Sequence, residues 1–202
     1  MFDARLRPLI DPPLNAIGRT LARSGVGANT VTLLGLIPAL AAAIAIAHGH
    51  FLAGLGLIVI NRLLDGLDGA VARASGISDF GGYLDTLADF VFYVSVPVAF
   101  GLAATANTAP ALLLVASFTL TCASFLAFAA IAAKRGQETA AHGTKSIFYS
   151  TGLAEGTETI AAFIAMCLWP GQFPAIAIGY AMLCLATVIQ RTLLARKSFP
   201  RT

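Results

Sequence analysis

Six long apolar runs constrain this chain more than any other feature. They cover roughly residues 29–48, 51–74, 79–104, 109–133, 153–169 and 173–195. A helix needs about 20 mainly apolar residues to cross a bilayer, and in hydrocarbon it must satisfy its own backbone amides and carbonyls. The runs use most of the 202 residues. The reading is therefore an all-α integral membrane protein, a single domain over residues 1–202, with a six-helix transmembrane bundle over residues 28–198. Only 11% of the residues are charged and the mean hydropathy is +0.81, which leaves no room for a soluble domain and no basic surface for nucleic acid.

The few charges are placed unevenly. All 13 Lys and Arg residues fall before the first run, between the second and third, between the fourth and fifth, after the sixth, or in the adjoining ends of runs, with Arg62 the deepest. By the positive-inside rule both termini and these connections face the cytoplasm, as in a bacterial or archaeal-type inner membrane, and the basic ends suit an anionic inner leaflet. The start, MFDARLRPLID, has no apolar core of signal-peptide length. Residues 1–27 read instead as an interfacial amphipathic helix. Asp11 is its N-cap, Pro12 and Pro13 lie in its first turn, Leu14, Ile17 and Leu21 share a face, and Gly25 and Gly27 end it. Plain packing of this helix on the bundle is the alternative. Cys122, Cys167 and Cys184 stand singly in apolar runs and read as inert buried thiols. His48 and His50 belong to the opposite face of the membrane from the acidic residues.

Those acids form the chain's densest polar feature, DGLDGAVARASGISDFGGYLDTLAD over residues 65–89. Asp65 and Asp68 are three apart, and Asp85 and Asp89 four apart, so each pair shares a helical face. A turn near Gly76 and Ile77 would fold the two halves into an antiparallel hairpin with the four carboxylates at matching depths. Carboxylates inside membrane spans are costly and mark function. Four together repel one another, and one or two divalent cations relieve that; all-oxygen ligands suit Mg2+ or Mn2+. Gly66, Gly69 and Ala72 provide a face without bulk beside the first pair, and Arg73 stands at its mouth, suited to a phosphate. Arg62, three residues before Asp65, is either its partner or a helix-packing charge.

The segment resembles the signature of the CDP-alcohol phosphotransferases (CDP-alcohol phosphatidyltransferases): DxxDGxxAR, a gap, then GxxxDxxxD. Asp65, Asp68, Gly69, Ala72, Arg73, Gly81, Asp85 and Asp89 fill the eight fixed positions, with a gap of seven residues between Arg73 and Gly81. The resemblance implies transfer of a phosphatidyl group from CDP-diacylglycerol, or a related CDP-lipid, to an alcohol with release of CMP. It implies that Asp65, Asp68 and Asp85 hold two metal ions, and that Asp89 borders the metals and acts as general base. It further implies that Gly66, Gly69, Ala72, Arg73, Ser78 and Gly81, with Asn29 and Thr32 from the first run, meet the donor nucleotide. It also implies a homodimer. Without it, Asn29 and Thr32 read first as caps.

The expected acceptor is a phosphorylated polyol such as glycerol 3-phosphate or inositol phosphate, for which Lys134, Arg135, Lys145 and Arg191 are candidate contacts; their other reading is as positive-inside anchors. Glu155 and Glu158 open the fifth run and stay open as to role: neutralising those cations, binding a polyol hydroxyl, or marking a different acceptor. The competing functions are an aspartate-rich intramembrane prenyltransferase and a divalent-cation carrier.

Overall fold

The computed structural model describes residues 3–135 and 156–199. Lys145 and Glu155 lie outside the described residues. Seven helices account for nearly all of the rest: α1 (Asp3–Arg23), α2 (Ala28–Ala47), α3 (Phe51–Ser75), α4 (Asp79–Ala103), α5 (Thr108–Lys134), α6 (Gly156–Leu168) and α7 (Phe173–Ser198). Short 3-10 turns at Thr105–Asn107 and Pro170–Gln172 lead into α5 and α7. Among the described residues each apolar run thus corresponds to one helix, from α2 to α7.

Four of these helices, with their leading turns, are long and apolar enough to cross a membrane: Ala28–Ala47, Asp79–Ala103, Thr105–Lys134 and Pro170–Ser198. The six-span expectation reduces to these four on length and composition. The remaining two fall short for different reasons. α3 has 25 residues but carries Arg62, Asp65, Asp68 and Arg73, and the described part of α6 has 13 residues.

α1 begins at Asp3, eight residues before the expected start, so Asp11 is not its N-cap and Pro12 and Pro13 lie inside it. Both prolines are exposed, so solvent can meet the carbonyls that their missing amides leave unpaired. The helix ends through Gly25, whose φ of +83° lets the chain reverse and brings the Val26 amide back to the Leu21 carbonyl. α1 packs on α3. Gly18 makes that approach possible: a Cβ there would stand 2.8 Å from the backbone and side chain of Ala70. Ile10 and Ile17 remain exposed on α1.

The hairpin expectation needs correction. Gly76, at a φ of +112°, does turn the chain between α3 and α4, and the Ser78 hydroxyl caps α4 by accepting from the Gly81 amide at 3.1 Å. The two helices then diverge. α2 packs along both, while the α3 and α4 backbones hardly approach each other. The reason lies in the facing residues. α2 offers Gly35, Ala39 and Ala42, all buried, which allow close approach; α3 and α4 offer each other carboxylates, which repel. At the far end of the bundle the same helices are locked by aromatic stacking. Phe100 of α4 lies between Phe51 of α3, at 5.5 Å between ring centroids, and Phe173 of α7, at 4.5 Å. The core continues inward from that stack through Leu114, Phe163, Met166 and Phe92, all fully buried. The molecule is packed at one end and slotted at the other.

Candidate active site

The slot lies between the last three turns of α3 and the first three of α4. Helical spacing brings Asp65 and Asp68 to the same face of α3, and Asp85 reaches them from α4. Carboxylate oxygens of these three residues all lie within 4.8 Å of one another. Asp68 is buried, Asp65 half-buried and Asp85 exposed, so the cluster grades from the protein interior to its surface. The set fits a hard divalent cation. The donors are all oxygen, and on an octahedral ion with bonds of about 2.1 Å two ligand oxygens stand about 3 Å apart when adjacent and about 4.2 Å apart when opposite.

Asp89 is placed differently. Its Oδ1 accepts from Arg62 Nη1 at 2.9 Å, and it is not part of the three-carboxylate group. The same Nη1 stands 3.4 Å from Asp65 Oδ2. Arg62 is therefore an ion-pair partner of two of the acids. Its Nε donates to Asn61 Oδ1 at 2.8 Å, and the buried Asn61 donates in turn to the Gly35 carbonyl of α2 at 2.9 Å. The guanidinium lies over the Phe92 ring, 4.2 Å from its centroid. Sequence reasoning noticed Arg62 without deciding its role, and missed Asn61. The aromatic ring beneath the cation comes from 30 residues downstream and left no local signal.

The expected donor contacts divide into three groups. Thr32 lines a narrow cleft with Asn61, Arg62, Asp65 and Asp68, its hydroxyl donating to the Ala28 carbonyl at 3.1 Å. Asn29, Ser78 and Gly81 meet at the start of α4: a Cβ on Gly81 would stand 2.9 Å from Ser78 Oγ and 3.1 Å from Asn29 Oδ1. On the side of α3 that faces α1, Arg73 donates to Asn15 Oδ1 at 3.0 and 3.3 Å, and its guanidinium reaches back over Gly69. Gly66 also faces α1, where a Cβ would meet the end of the Leu14 side chain at 2.8 Å. Ala72 is half-buried beside Arg73.

A second space opens next to Asp89. A cavity of about 300 Å³ between α4, α5, α6 and α7 is lined by Phe90, Tyr93, Phe118, Thr121, Thr159 and Arg191, among others. Arg191 enters it from α7, fixed by one nitrogen: Nη1 donates to the Thr121 carbonyl at 2.8 Å and to Ser124 Oγ at 2.7 Å. Of the other expected acceptor contacts, Lys134 and Arg135 are exposed at the end of α5 and do not line the cavity; Arg135 lies over the Phe199 ring. Glu158 belongs to the first turn of α6, one residue from Thr159.

Comparison with known proteins bears on this geometry. The family model for CDP-alcohol phosphatidyltransferases matches residues 26–191. The inner membrane protein YnjF of Escherichia coli (strain K12) is 43% identical over 192 residues, which covers 95% of this chain and 93% of YnjF. An archaetidylinositol phosphate synthase of Pyrococcus horikoshii is 42% identical over 88 residues, 43% of this chain and 46% of the synthase. Among solved structures, the phosphatidylinositol phosphate synthase PgsA1 of Mycobacterium tuberculosis shares the fold. Its complex with manganese and citrate superposes with a TM-score of 0.74 at 20% identity, over 94% of this chain and 93% of that one. Its complex with CDP-DAG gives 0.68 at 23% identity, over 94% and 98%.

Proposed function

This chain belongs to the CDP-alcohol phosphatidyltransferase family, and from that premise we propose that it transfers the phosphatidyl group of a CDP-lipid to a phosphorylated polyol, releasing CMP. It is an enzyme of that class, which decides against the prenyltransferase and the cation carrier. The observation that carries the reaction is the three-carboxylate cluster of Asp65, Asp68 and Asp85; the cavity holding Arg191 supports it, lined from α4 by Phe90 and Tyr93, which follow Asp89 in the chain.

The chemistry follows from the residues. The acceptor hydroxyl attacks the phosphorus that carries the lipid; the bond from that phosphorus to the bridging pyrophosphate oxygen breaks, and CMP leaves with the electron pair. Asp89 takes the hydroxyl proton, a role typically worth ~10²–10⁴-fold in rate. Its Oδ1 is committed to Arg62, which leaves Oδ2 for that proton. Asp65, Asp68 and Asp85 would hold Mg2+ or Mn2+. Such ions, when bound, neutralise the pyrophosphate charge and stabilise the leaving group. The three carboxylates lie within 4.8 Å of one another, close enough to share bound cations, and two ions are proposed from the family resemblance. PgsA1 was crystallised with manganese and with CDP-DAG in separate structures, which supports both a metal and a CDP-lipid donor here. Thr32, Asn29, Ser78, Gly81, Gly69, Ala72 and Arg73 are the proposed donor-side contacts. Gly66 supports them through α1.

Arg191 supplies the acceptor cavity with a fixed cation, and Lys145 is proposed to add a second. The archaetidylinositol phosphate synthase relative supports a phosphorylated acceptor. The proposed setting is a single domain of six spans with α1 lying at the interface, its Ile10 and Ile17 toward the lipid, and with the termini and the site on the cytoplasmic side. A homodimer is proposed through the exposed apolar helix faces.

The test is CMP release by purified protein in detergent, with CDP-diacylglycerol, Mg2+ or Mn2+, and a panel of glycerol 3-phosphate, inositol phosphate, inositol, serine and choline. Release that requires a phosphorylated alcohol and is lost in Asp89→Asn supports the reading. Release with choline or serine alone overturns the acceptor assignment.

A further inference from the structure

We propose that Arg62 is a positioning residue: it holds Asp89 apart from the carboxylate cluster and points one oxygen of Asp89 at the acceptor. The inference rests on the reading of Asp89 as base and of Asp65, Asp68 and Asp85 as metal ligands. Arg62 lies outside the signature that carries the resemblance, which begins at Asp65.

The guanidinium is firmly fixed. Nε bonds Asn61, Asn61 bonds the Gly35 carbonyl, and the guanidinium plane rests on Phe92. These contacts come from α2, α3 and α4, although the α3 and α4 backbones hardly approach each other. Arg62 is thus anchored by Asn61 and the Gly35 carbonyl on one side and by the Phe92 ring of α4 on the other, with Nη1 on Asp89 at 2.9 Å. Asp89 sits one helical turn beyond Asp85 on the same face of α4, so without Arg62 its carboxylate is free to swing toward any cation that its neighbour ligates. A carboxylate drawn to the metal is turned away from the acceptor. Arg62 competes for it with a geometry no lysine reproduces, since a lysine has no second nitrogen for Asn61.

Arg62 also places a positive charge 3.4 Å from Asp65. It weakens the cluster's attraction for divalent cations while it keeps Asp89 in position. Removing it should therefore have two opposite effects: tighter metal and slower chemistry. A group that merely supported the fold would weaken both. A group that bound the donor phosphates would raise the KM for the CDP-lipid.

The experiment compares wild type, Arg62→Gln and Arg62→Lys for Mn2+ affinity, read by electron paramagnetic resonance without substrate, and for kcat and donor KM in the CMP-release assay. For Arg62→Gln we expect Mn2+ to bind about tenfold more tightly from the lost charge, and kcat to fall about 10²-fold from the misplaced base, with donor KM within about twofold. Arg62→Lys restores the charge and so should return Mn2+ affinity to the wild-type value, while kcat stays depressed about tenfold. Unchanged or weaker Mn2+ binding in Arg62→Gln, or a raised donor KM with kcat intact, overturns the proposal. If Arg62→Gln does not fold, Arg62→Lys decides: full kcat in that variant overturns the geometric role. A wild-type protein that releases no CMP under any condition counts against the underlying reading, whereas an active wild type with indifferent Arg62 variants counts against this inference alone.

Discussion

Replacing Arg191 by methionine isolates the acceptor cavity, because the substitution keeps the apolar stem and removes only the guanidinium. In the folded chain one nitrogen of Arg191 makes both of its hydrogen bonds, to the Thr121 carbonyl and to Ser124 Oγ. Nε and Nη2 are left to a ligand. Loss of the side chain strands neither partner: the Thr121 carbonyl still accepts from Ser124 Oγ at 2.8 Å. The local cost to folding is therefore small, and the effect should fall on binding. A hydrogen bond to a charged group is worth about 1.5–3 kcal/mol. At 1.4 kcal/mol per decade that is about 10- to 100-fold in affinity. Arg191 is half-buried, so solvent screening puts the expectation toward the lower end.

The assay is CMP release at saturating CDP-diacylglycerol, with the phosphorylated acceptor varied. Arg191→Met should raise the acceptor KM about tenfold or more, with kcat within a few-fold and donor KM unchanged. Lys134→Met should change the acceptor KM by less than about twofold, because Lys134 is exposed and does not line the cavity. An acceptor KM that ignores Arg191→Met, or that responds more to Lys134→Met, refutes the assignment of the cavity.

Four further outcomes follow from contacts at and around the slot. Gly18→Leu would drive a side chain into the Ala70 backbone, 2.8 Å from its first carbon, so hydrogen exchange should show α1 losing protection and donor KM should rise as Arg73 loses Asn15. Gly81→Ala would press on Ser78 Oγ and Asn29 Oδ1 and disturb the cap of α4, at a cost of about 1 kcal/mol seen as a lower thermal midpoint and weaker CDP-lipid binding. Gly66→Ala, which meets only the flexible end of Leu14, should bind the CDP-lipid as wild type does. Chelation by EDTA should abolish CMP release and lower the thermal midpoint, and Mn2+ at a hundred times its Kd should return about 2.7 kcal/mol; a midpoint indifferent to Mn2+ argues that the three carboxylates do not hold it.

The helices were legible because hydrocarbon leaves a chain few options. A run of apolar residues must be helical, so the readings at 29–48 and 51–74 fall within a residue of Ala28–Ala47 and Phe51–Ser75. The carboxylate pairs were legible because helical spacing fixes which side chains share a face. What the spacing did not contain was the partner across the slot. A turn of three residues at Gly76 reads as a hairpin, yet the third body, α2, decides how far the arms separate. For the same reason the sequence could not show that Gly66, an expected donor contact, also faces Leu14 of α1, since a glycine shows that something approaches and not what it is. Arg135 and Arg191 looked alike in sequence as cations near helix ends. Only packing tells the one laid over Phe199 from the one fixed inside a cavity.

The division between a stacked end and a slotted end also answers how a membrane protein tolerates four acids so close together. Had α3 and α4 packed as a tight pair, their carboxylates would have been buried against one another without water or counter-charge, at a cost of several kcal/mol per ion. Separation by α2 avoids that, but it removes the apolar contact that would hold the two arms in register. The Phe51–Phe100–Phe173 stack supplies it at the far end, and Arg62 supplies a polar tie where the arms part. One arginine against Asp65, Asp68, Asp85 and Asp89 leaves the slot with a net charge near −3 when all are ionised. That deficit falls where Asp65 and Asp68 of α3 meet the exposed Asp85. The slot is therefore open because closing it would bury charge, and its residual negative charge suits it to divalent cations.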